Sequence, residues 1–140
     1  MKISLITVGP ARAAEVSEAI VDYEKRLGHY TDFESVQTSE EKLPKLLDAY
    51  DRVFLLDETG ASYTSKSFAS FMEKQLNAGL QRIAFVIGGA FGFSPAARER
   101  ADSLISLSSL TFPHRLVPLI FLEQLYRAFT IIRNEKYHHS

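Results

Sequence analysis

Residues 83–114 read IAFVIGGAFGFSPAARERADSLISLSSLTFPH, and this stretch decides the class of fold. Ile83–Ile87 is an unbroken apolar run of strand length with no wet face, so it reads as a strand covered on both sides. Gly88-Gly89-Ala90-Phe91-Gly92 turns the chain, and Ser94-Pro95 supplies an N-cap and a first helical residue. Ser103–Leu107 is a further short strand, and Ser108–His114 is a loop. A strand, a turn, a helix and a strand in that order make the repeating unit of a parallel α/β sheet.

The same alternation runs outward in both directions. Ile3–Val8 is a short apolar run closed by Gly9-Pro10, again a buried strand. From Ala11 to Leu27, Val16, Ile20, Tyr23 and Leu27 recur at helical spacing, and Gly28 is placed for a left-handed C-terminal cap. Phe33–Val36 reads as a weak strand. A short helix follows with Leu43, Leu46, Leu47 and Tyr50, where Pro44 is tolerable only in the first turn. Val53–Leu56 is another buried strand, ended by the polar turn Asp57-Glu58-Thr59-Gly60. Thr64 or Ser65 can cap a helix through Asn77, with Phe68, Phe71, Met72 and Leu76 on one face and Gly79 beyond its end. A long helix is expected from about Leu116 to Arg133.

The chain has 140 residues, 46% hydrophobic and 24% charged. Those values fit one globular domain over residues 1–140, and no repeat or linker divides it. There is no cysteine, which excludes disulfides, thiolate metal sites and cysteine nucleophiles together. The apolar run of MKISLITVGP is too short for a secretory signal. The window Leu116–Ile132 contains Pro118, Glu123 and Arg127, and each central charge would cost about 2.5–3.5 kcal/mol in a bilayer. No membrane association is expected. The net charge of −1 counts against a free-standing nucleic-acid binder, which relies on a basic excess to hold phosphates.

Ligands on parallel α/β sheets bind beyond the carboxyl ends of the strands, where Leu56–Gly60, Gly88–Gly92 and Ser108–His114 are expected to lie. The glycine cluster lacks the spacing of a dinucleotide fingerprint and carries no phosphate-binding lysine, so a plain strand-to-helix turn accounts for it equally well. The segment Ser108-Ser109-Leu110-Thr111-Phe112-Pro113-His114 is apolar and rich in hydroxyls. Its backbone can bond an adenine edge while Leu110 and Phe112 enclose the ring. His114 can contact substrate or cap the next helix. Glu123 and Arg127 stand at i, i+4, whose ordinary reading is an ion pair within the helix. Apolar residues surround nearly the whole circumference of that last helix, so it is expected to be buried on two sides, the second by another copy of the chain. Arg133, Lys136, Tyr137, His138 and His139 crowd the C-terminus, either as a solvated tail or as one that closes over a site. Two adjacent histidines cannot face one metal from a helix, and no metal is expected.

At these residues the sequence resembles the ribosomal large-subunit pseudouridine N3-methyltransferase family, RlmH, of the SPOUT superfamily. The resemblance rests on MKISLITVG (Met1–Gly9), FLLDETG (Phe54–Gly60), FVIGGAFGFS (Phe85–Ser94), ISLSSLTFPH (Ile105–His114) and LEQLYRAFTIIRNEKYHH (Leu122–His139). It implies a Rossmann-like, mainly parallel sheet with its C-terminal part threaded into a trefoil knot, which general topology rules alone would not select. It further implies a cytoplasmic homodimer that uses S-adenosylmethionine to methylate N3 of a pseudouridine in 23S ribosomal RNA within the ribosome. By position, Leu56, Gly89 and the loop residues Ser108, Ser109, Leu110, Thr111, Phe112 and Pro113 correspond to cofactor contacts. Tyr137 and His138 match the substrate-side tail, and His114 and Arg133 are the expected substrate contacts.

In such a reaction N3 loses its proton and attacks the sulfonium methyl in line, so the protein must position both partners and accept one proton. His138 is the expected acceptor, with Tyr137 beside it; His114, Glu123 and the terminal carboxylate are the alternatives. A local basic rim, Arg115, Arg127, Arg133 and Lys136 against Glu123 and Glu135, would suit docking on a ribosome. The sequence departs from the family pattern in three places. The stretch between Val36 and Tyr50 is short, Phe91 occupies a slot that varies among relatives, and the tail ends in KYHHS. Two other functions compete. One is a non-catalytic dimeric RNA- or ribosome-binding protein of the same fold. The other is a nucleotide-cofactor oxidoreductase, against which the missing GxGxxG and acidic ribose partner count.

Overall fold

Alternation along the central strand sorts its side chains between two helical layers. The computed structural model describes every residue except Ala11 and Ser140. In β4 (Arg82–Ile87), Ile83, Phe85 and Ile87 enter one buried cluster while Ala84 and Val86 enter another. The first cluster is closed by α1 (Ser17–Gly28), α3 (Ser65–Leu76) and α5 (Val117–Ile132). The second is closed by α2 (Leu43–Leu47) and α4 (Pro95–Arg100). With both faces covered, β4 needs no polar side, which is why its sequence is a continuous apolar run.

The sheet has five strands in the order β2-β1-β4-β3-β5, and every neighbouring pair is parallel. The remaining strands are β1 (Lys2–Val8), β2 (Asp32–Thr38), β3 (Arg52–Ser62) and β5 (Ser103–Ser106). β2 is an edge strand with no fully buried residue, so its weak apolar signal has a physical cause. The most deeply buried polar side chain of β1, Ser4, accepts from the Tyr50 hydroxyl at 2.9 Å and donates to Glu34 at 3.1 Å. A buried hydroxyl bonded on both sides avoids the desolvation penalty that an orphan would carry.

The expected α/β sheet is present, and wholly parallel. Several expected boundaries move. Gly28 ends α1 in ordinary helical geometry, not as a left-handed cap, and His29 follows with its amide on the Arg26 and Leu27 carbonyls. Ala11, the expected start of that helix, lies outside the described residues, and α1 proper begins only at Ser17, after a 3₁₀ turn over Ala14–Val16. β3 does not stop at Leu56. Its pairing with β5 skips from Leu56 to Ala61, and both residues face Ile105, so Asp57–Gly60 is an excursion within the strand. Gly60 permits the return: a Cβ there would lie 2.4 Å from the Leu104 carbonyl carbon, well inside van der Waals contact.

The starts of α2, α3 and α4 were legible. Thr64 caps α3, accepting from the Ser67 amide at 3.0 Å while Ser67 Oγ accepts from the Thr64 amide at 2.8 Å. Ser94 caps α4 with Pro95 in its first turn, and Pro44 sits in the first turn of α2. The last helix begins as a 3₁₀ turn at His114–Leu116 and continues as α5. α5 lies against both α1 and α3, and every residue from Val117 to Ile132 is buried or half-buried in the single chain. No helix among the described residues is long and apolar enough to cross a membrane.

Candidate functional site

Parallel strands present their carboxyl ends on one edge, and three connections meet there. The Asp57–Gly60 excursion follows the first part of β3, the Gly88–Gly92 turn follows β4, and residues 107–113 follow β5. Together they line a cleft of about 360 Å³. Leu56, Gly89, Ser108, Leu110, Thr111 and Phe112 all face it, as does His114 at the start of the last helical segment. Ser109 and Pro113, expected among the same contacts, are not among the lining residues. The loop is held by its own hydroxyls: Ser106 Oγ donates to the Ser108 carbonyl at 3.1 Å, and Ser108 Oγ accepts from the Leu110 amide at 2.9 Å.

The cleft also contains two carboxylates that sequence reasoning passed over. Asp57 accepts from the Thr59 amide at 2.9 Å and from its hydroxyl, and it pairs with Arg98 at 2.8 Å. The Thr59 hydroxyl, then its amide and Arg98, outweigh partial burial and hold the Asp57 carboxyl below its usual range. Glu58 is exposed at the rim. The signal was present as Asp57-x-Thr59, a spacing at which an Asp closes a local turn, but it read only as a turn. Chemically, the site offers backbone amides, hydroxyls, apolar walls at Leu56 and Phe112, and negative charge at one side. That set fits a flat heterocycle joined to a cationic group, the make-up of S-adenosylmethionine, and the volume lies in the range of small-molecule sites.

A second constellation forms along α5. After α5 the chain reverses at Asn134, whose φ of 56° is left-handed, and the Glu135 amide bonds the Thr130 carbonyl at 2.8 Å. The reversal returns Tyr137 and His138 to the helix. Glu123 and Arg127 form the intrahelical pair expected of them, with Nη2 to Oε2 at 2.9 Å. Tyr137 donates to Glu123 at 3.3 Å, so its 3.1 Å contact with Tyr23 is donated by Tyr23. Burial first, and the nearby Glu123 carboxylate as well, push the Tyr137 phenol well above its usual range. It therefore stays protonated and acts as a donor, not a base. Tyr23, contributed by α1, was not foreseen in this cluster. No local spacing announces a contact across 114 positions.

His138 Nδ1 lies 3.0 Å from Arg127 Nη1. A guanidinium only donates, so Nδ1 accepts and the neutral ring carries its proton on Nε2. In this arrangement the Nδ1 lone pair is engaged by Arg127. The terminal carboxylate, another expected candidate, belongs to Ser140 and lies outside the described residues. Arg133 stacks over Tyr30 at 4.9 Å, near this second cluster and away from the cleft. His114 and Arg133 are thus not brought together. Nor are the cleft and the tail: none of Glu123, Tyr137 and His138 lines the cleft, and Arg127 stands roughly 15 Å farther along the helix axis than Val117, which does. Among the described residues no group of three or more His, Cys, Asp or Glu is placed to hold a metal ion.

Over residues 1–138 the sequence matches the family described as "Predicted SPOUT methyltransferase". It is similar to proteins named ribosomal RNA large subunit methyltransferase H from several bacteria. The Christiangramia forsetii protein is 44% identical over 156 aligned residues, covering 99% of each chain. That of Parabacteroides distasonis is 42% identical over 157, covering all of both. That of Coprothermobacter proteolyticus is 43% identical over 138, again covering 99% of each. The first two alignments exceed the 140 residues here, so those relatives carry segments this chain lacks; the third shows the short length elsewhere. Among solved structures, the SpoU methyltransferase AviRb from Streptomyces viridochromogenes, crystallised with AdoMet, superposes with a TM-score of 0.51. The match covers 92% of this chain and 57% of that one at 11% identity, a likeness of fold alone. By full-length identity above 40% and a family match across 138 residues, the chain belongs to the ribosomal RNA large subunit methyltransferase H family of SPOUT methyltransferases.

Proposed function

We propose that this protein methylates N3 of a pseudouridine in 23S ribosomal RNA, on the ribosome, with S-adenosylmethionine as donor. The observation that carries the reading is the cleft at the carboxyl ends of β3, β4 and β5, built from backbone-rich loops, hydroxyls and a carboxylate rim. The donor would lie against Leu56, Gly89 and the Ser108–Pro113 loop, and it supplies a methyl group on a sulfonium centre. Around it, the loop amides hold the heterocycle, Leu56 and Phe112 keep water from the ring, and Glu58 favours the positive charge. The single domain would include the trefoil knot, with Gly60 at the close approach of β3 to β5.

The reaction also needs a group to take the N3 proton. We assign it to His138, with Tyr137 as a neutral donor and Glu123 and Arg127 as their support. Because this cluster is remote from the cleft of its own chain, the assignment requires a homodimer in which one copy's tail reaches the other's cleft. Leu119, Ile120, Ile131 and Ile132 of α5, only half-buried in the single chain, support that assembly. His138 would exchange its Arg127 contact for N3 when substrate arrives. His114, which lines the cleft directly, and Arg133 are assigned to contacts with RNA.

Calorimetry with S-adenosylmethionine and labelled methyl transfer to ribosomes lacking the modification test the reading. Binding with transfer is the expected result. Binding without transfer would favour a non-catalytic ribosome-binding protein of the same fold, and absence of binding would remove the methyltransferase reading altogether.

A further inference from the structure

Phe91 is 98% exposed, the most exposed of the large apolar side chains. Its backbone is nevertheless tied down. Gly89 and Gly92 form a bridge, the Gly92 amide donates to the Gly89 carbonyl at 3.1 Å, and Gly92 adopts a φ of 77° that favours glycine. Beneath the turn the Phe93 ring packs under Gly88, about 3.1 Å from where a Cβ would stand. The two neighbours of Phe91, Ala90 and Gly92, line the cofactor cleft. Leu110, 74% exposed, lines the same cleft from the loop after β5. A lone exposed apolar side chain needs no explanation. Two on separate loops at the rim of one cleft, each on a turn closed by a hydrogen bond, form a feature of the site.

The occupant follows from the chemistry. A protein partner calls for a contiguous apolar patch, whereas Phe91 is flanked by Ala90 and Gly92 and stands alone on its turn. An aromatic ring of this kind suits a flat π-face, and RNA bases drawn out of their stacks are held on aromatic side chains in this way. Stacking has a further advantage for a nitrogen on the base edge. It holds the ring by its face and leaves N3 free to lose a proton and receive a methyl group, which a hydrogen-bonding reader of that edge would prevent. We propose that Phe91, backed by Leu110, is the platform on which the target nucleobase stacks over the cofactor cleft. This inference rests on the methyltransferase reading above.

Steady-state methyl transfer to large ribosomal subunits lacking the mark tests it. Phe91→Ala should raise the KM for the subunits about tenfold, within the range stacked bases show on alanine substitution. Its kcat should change less, its affinity for S-adenosylmethionine should match wild type, and its solution mass should be unchanged. Phe91→Tyr and Phe91→Trp should restore KM, and Phe91→Leu should not. An unchanged KM in Phe91→Ala, full rescue by Leu, or a fall in cofactor affinity or mass would each overturn the stacking role. If the wild-type protein itself bound no S-adenosylmethionine, it would be the methyltransferase reading that failed, and the platform with it.

Discussion

At Gly60 a single hydrogen atom decides whether β3 and β5 can close. The backbone of Leu104–Ile105 passes where a side chain would begin, with three backbone atoms within 2.6 Å of an ideal Cβ. Backbone cannot rotate away as a side-chain tip can. Gly60→Ala should therefore displace β5 or the returning half of β3, at about 1–3 kcal/mol or more, the range for overpacking. A drop in thermal midpoint together with weakened cofactor binding is the expected signature. Unchanged stability would mean that the backbone can yield at this close approach. Three residues earlier, Asp57 gives a prediction in pH. Its carboxyl is held down by Thr59 first and Arg98 after, so the stability it contributes is fully present above the unfolded value near 4. That contribution is lost as pH falls through the lower folded value. Asp57→Asn should destabilise at pH 7, and its difference from wild type should close on acidification below about pH 4. Denaturant midpoints at both pH values measure the gap, and a difference that widened in acid would contradict the assignment.

Among the elements, those whose signal is local were legible and those set by distant contacts were not. The apolar run of β4, the caps Thr64 and Ser94 and the hydroxyl-rich loop after β5 could be read because each depends on residues a few positions apart. β3 was read as ending at Leu56 because Asp57–Gly60 has turn chemistry; its continuation exists only because β5 pairs again at Ala61 and Ser62. The tail gave the same lesson. Tyr137 and His138 were singled out, yet their holders, Tyr23 on α1 and Arg127 on α5, are set by the fold. Arg127→Ala should free that tail. Amide exchange over residues 135–139 should quicken while global stability falls by only about 0.5–1 kcal/mol, since the ion pair is partly solvated. Protection that persisted would show the tail held by Tyr137 packing alone. The α1–α5 seam carries an alkaline limit as well. Tyr30 stacks on Phe129 at 5.2 Å and donates to Glu135, and burial first, then that carboxylate, raises its phenol to about 12. Its contribution is complete below the unfolded value near 10 and is lost as pH climbs from there toward 12. Tyr30→Phe should blunt the alkaline loss of stability between those limits. An equally steep decline would place its cause elsewhere.

On the scale of the whole molecule, the separation of cleft and tail makes a quantitative claim about assembly. If each active site takes its cleft from one copy and its tail from the other, two different inactive variants can repair each other. Ser108→Trp should fill the cleft and break the loop-closing bond to the Leu110 amide, abolishing cofactor binding. His138→Ala should keep cofactor binding and lose transfer. Each homodimer is then inactive. When equal amounts are mixed and allowed to reassort, about half the two-fold dimers combine one copy of each variant. In such a dimer one site joins the intact cleft of the His138→Ala copy to the intact tail of the Ser108→Trp copy, and the other site carries both defects. About one quarter of all sites should therefore regain wild-type activity. Sites completed within one chain would give no recovery at all, because one variant lacks a working cleft and the other a working tail. Light scattering on the mixture confirms that dimers are present during the assay. Recovery near one quarter would establish the shared site, its absence in a demonstrably dimeric mixture would overturn it, and transfer retained by His138→Ala alone would return the proton acceptor to the one titratable side chain already in the cleft with a ring nitrogen, His114.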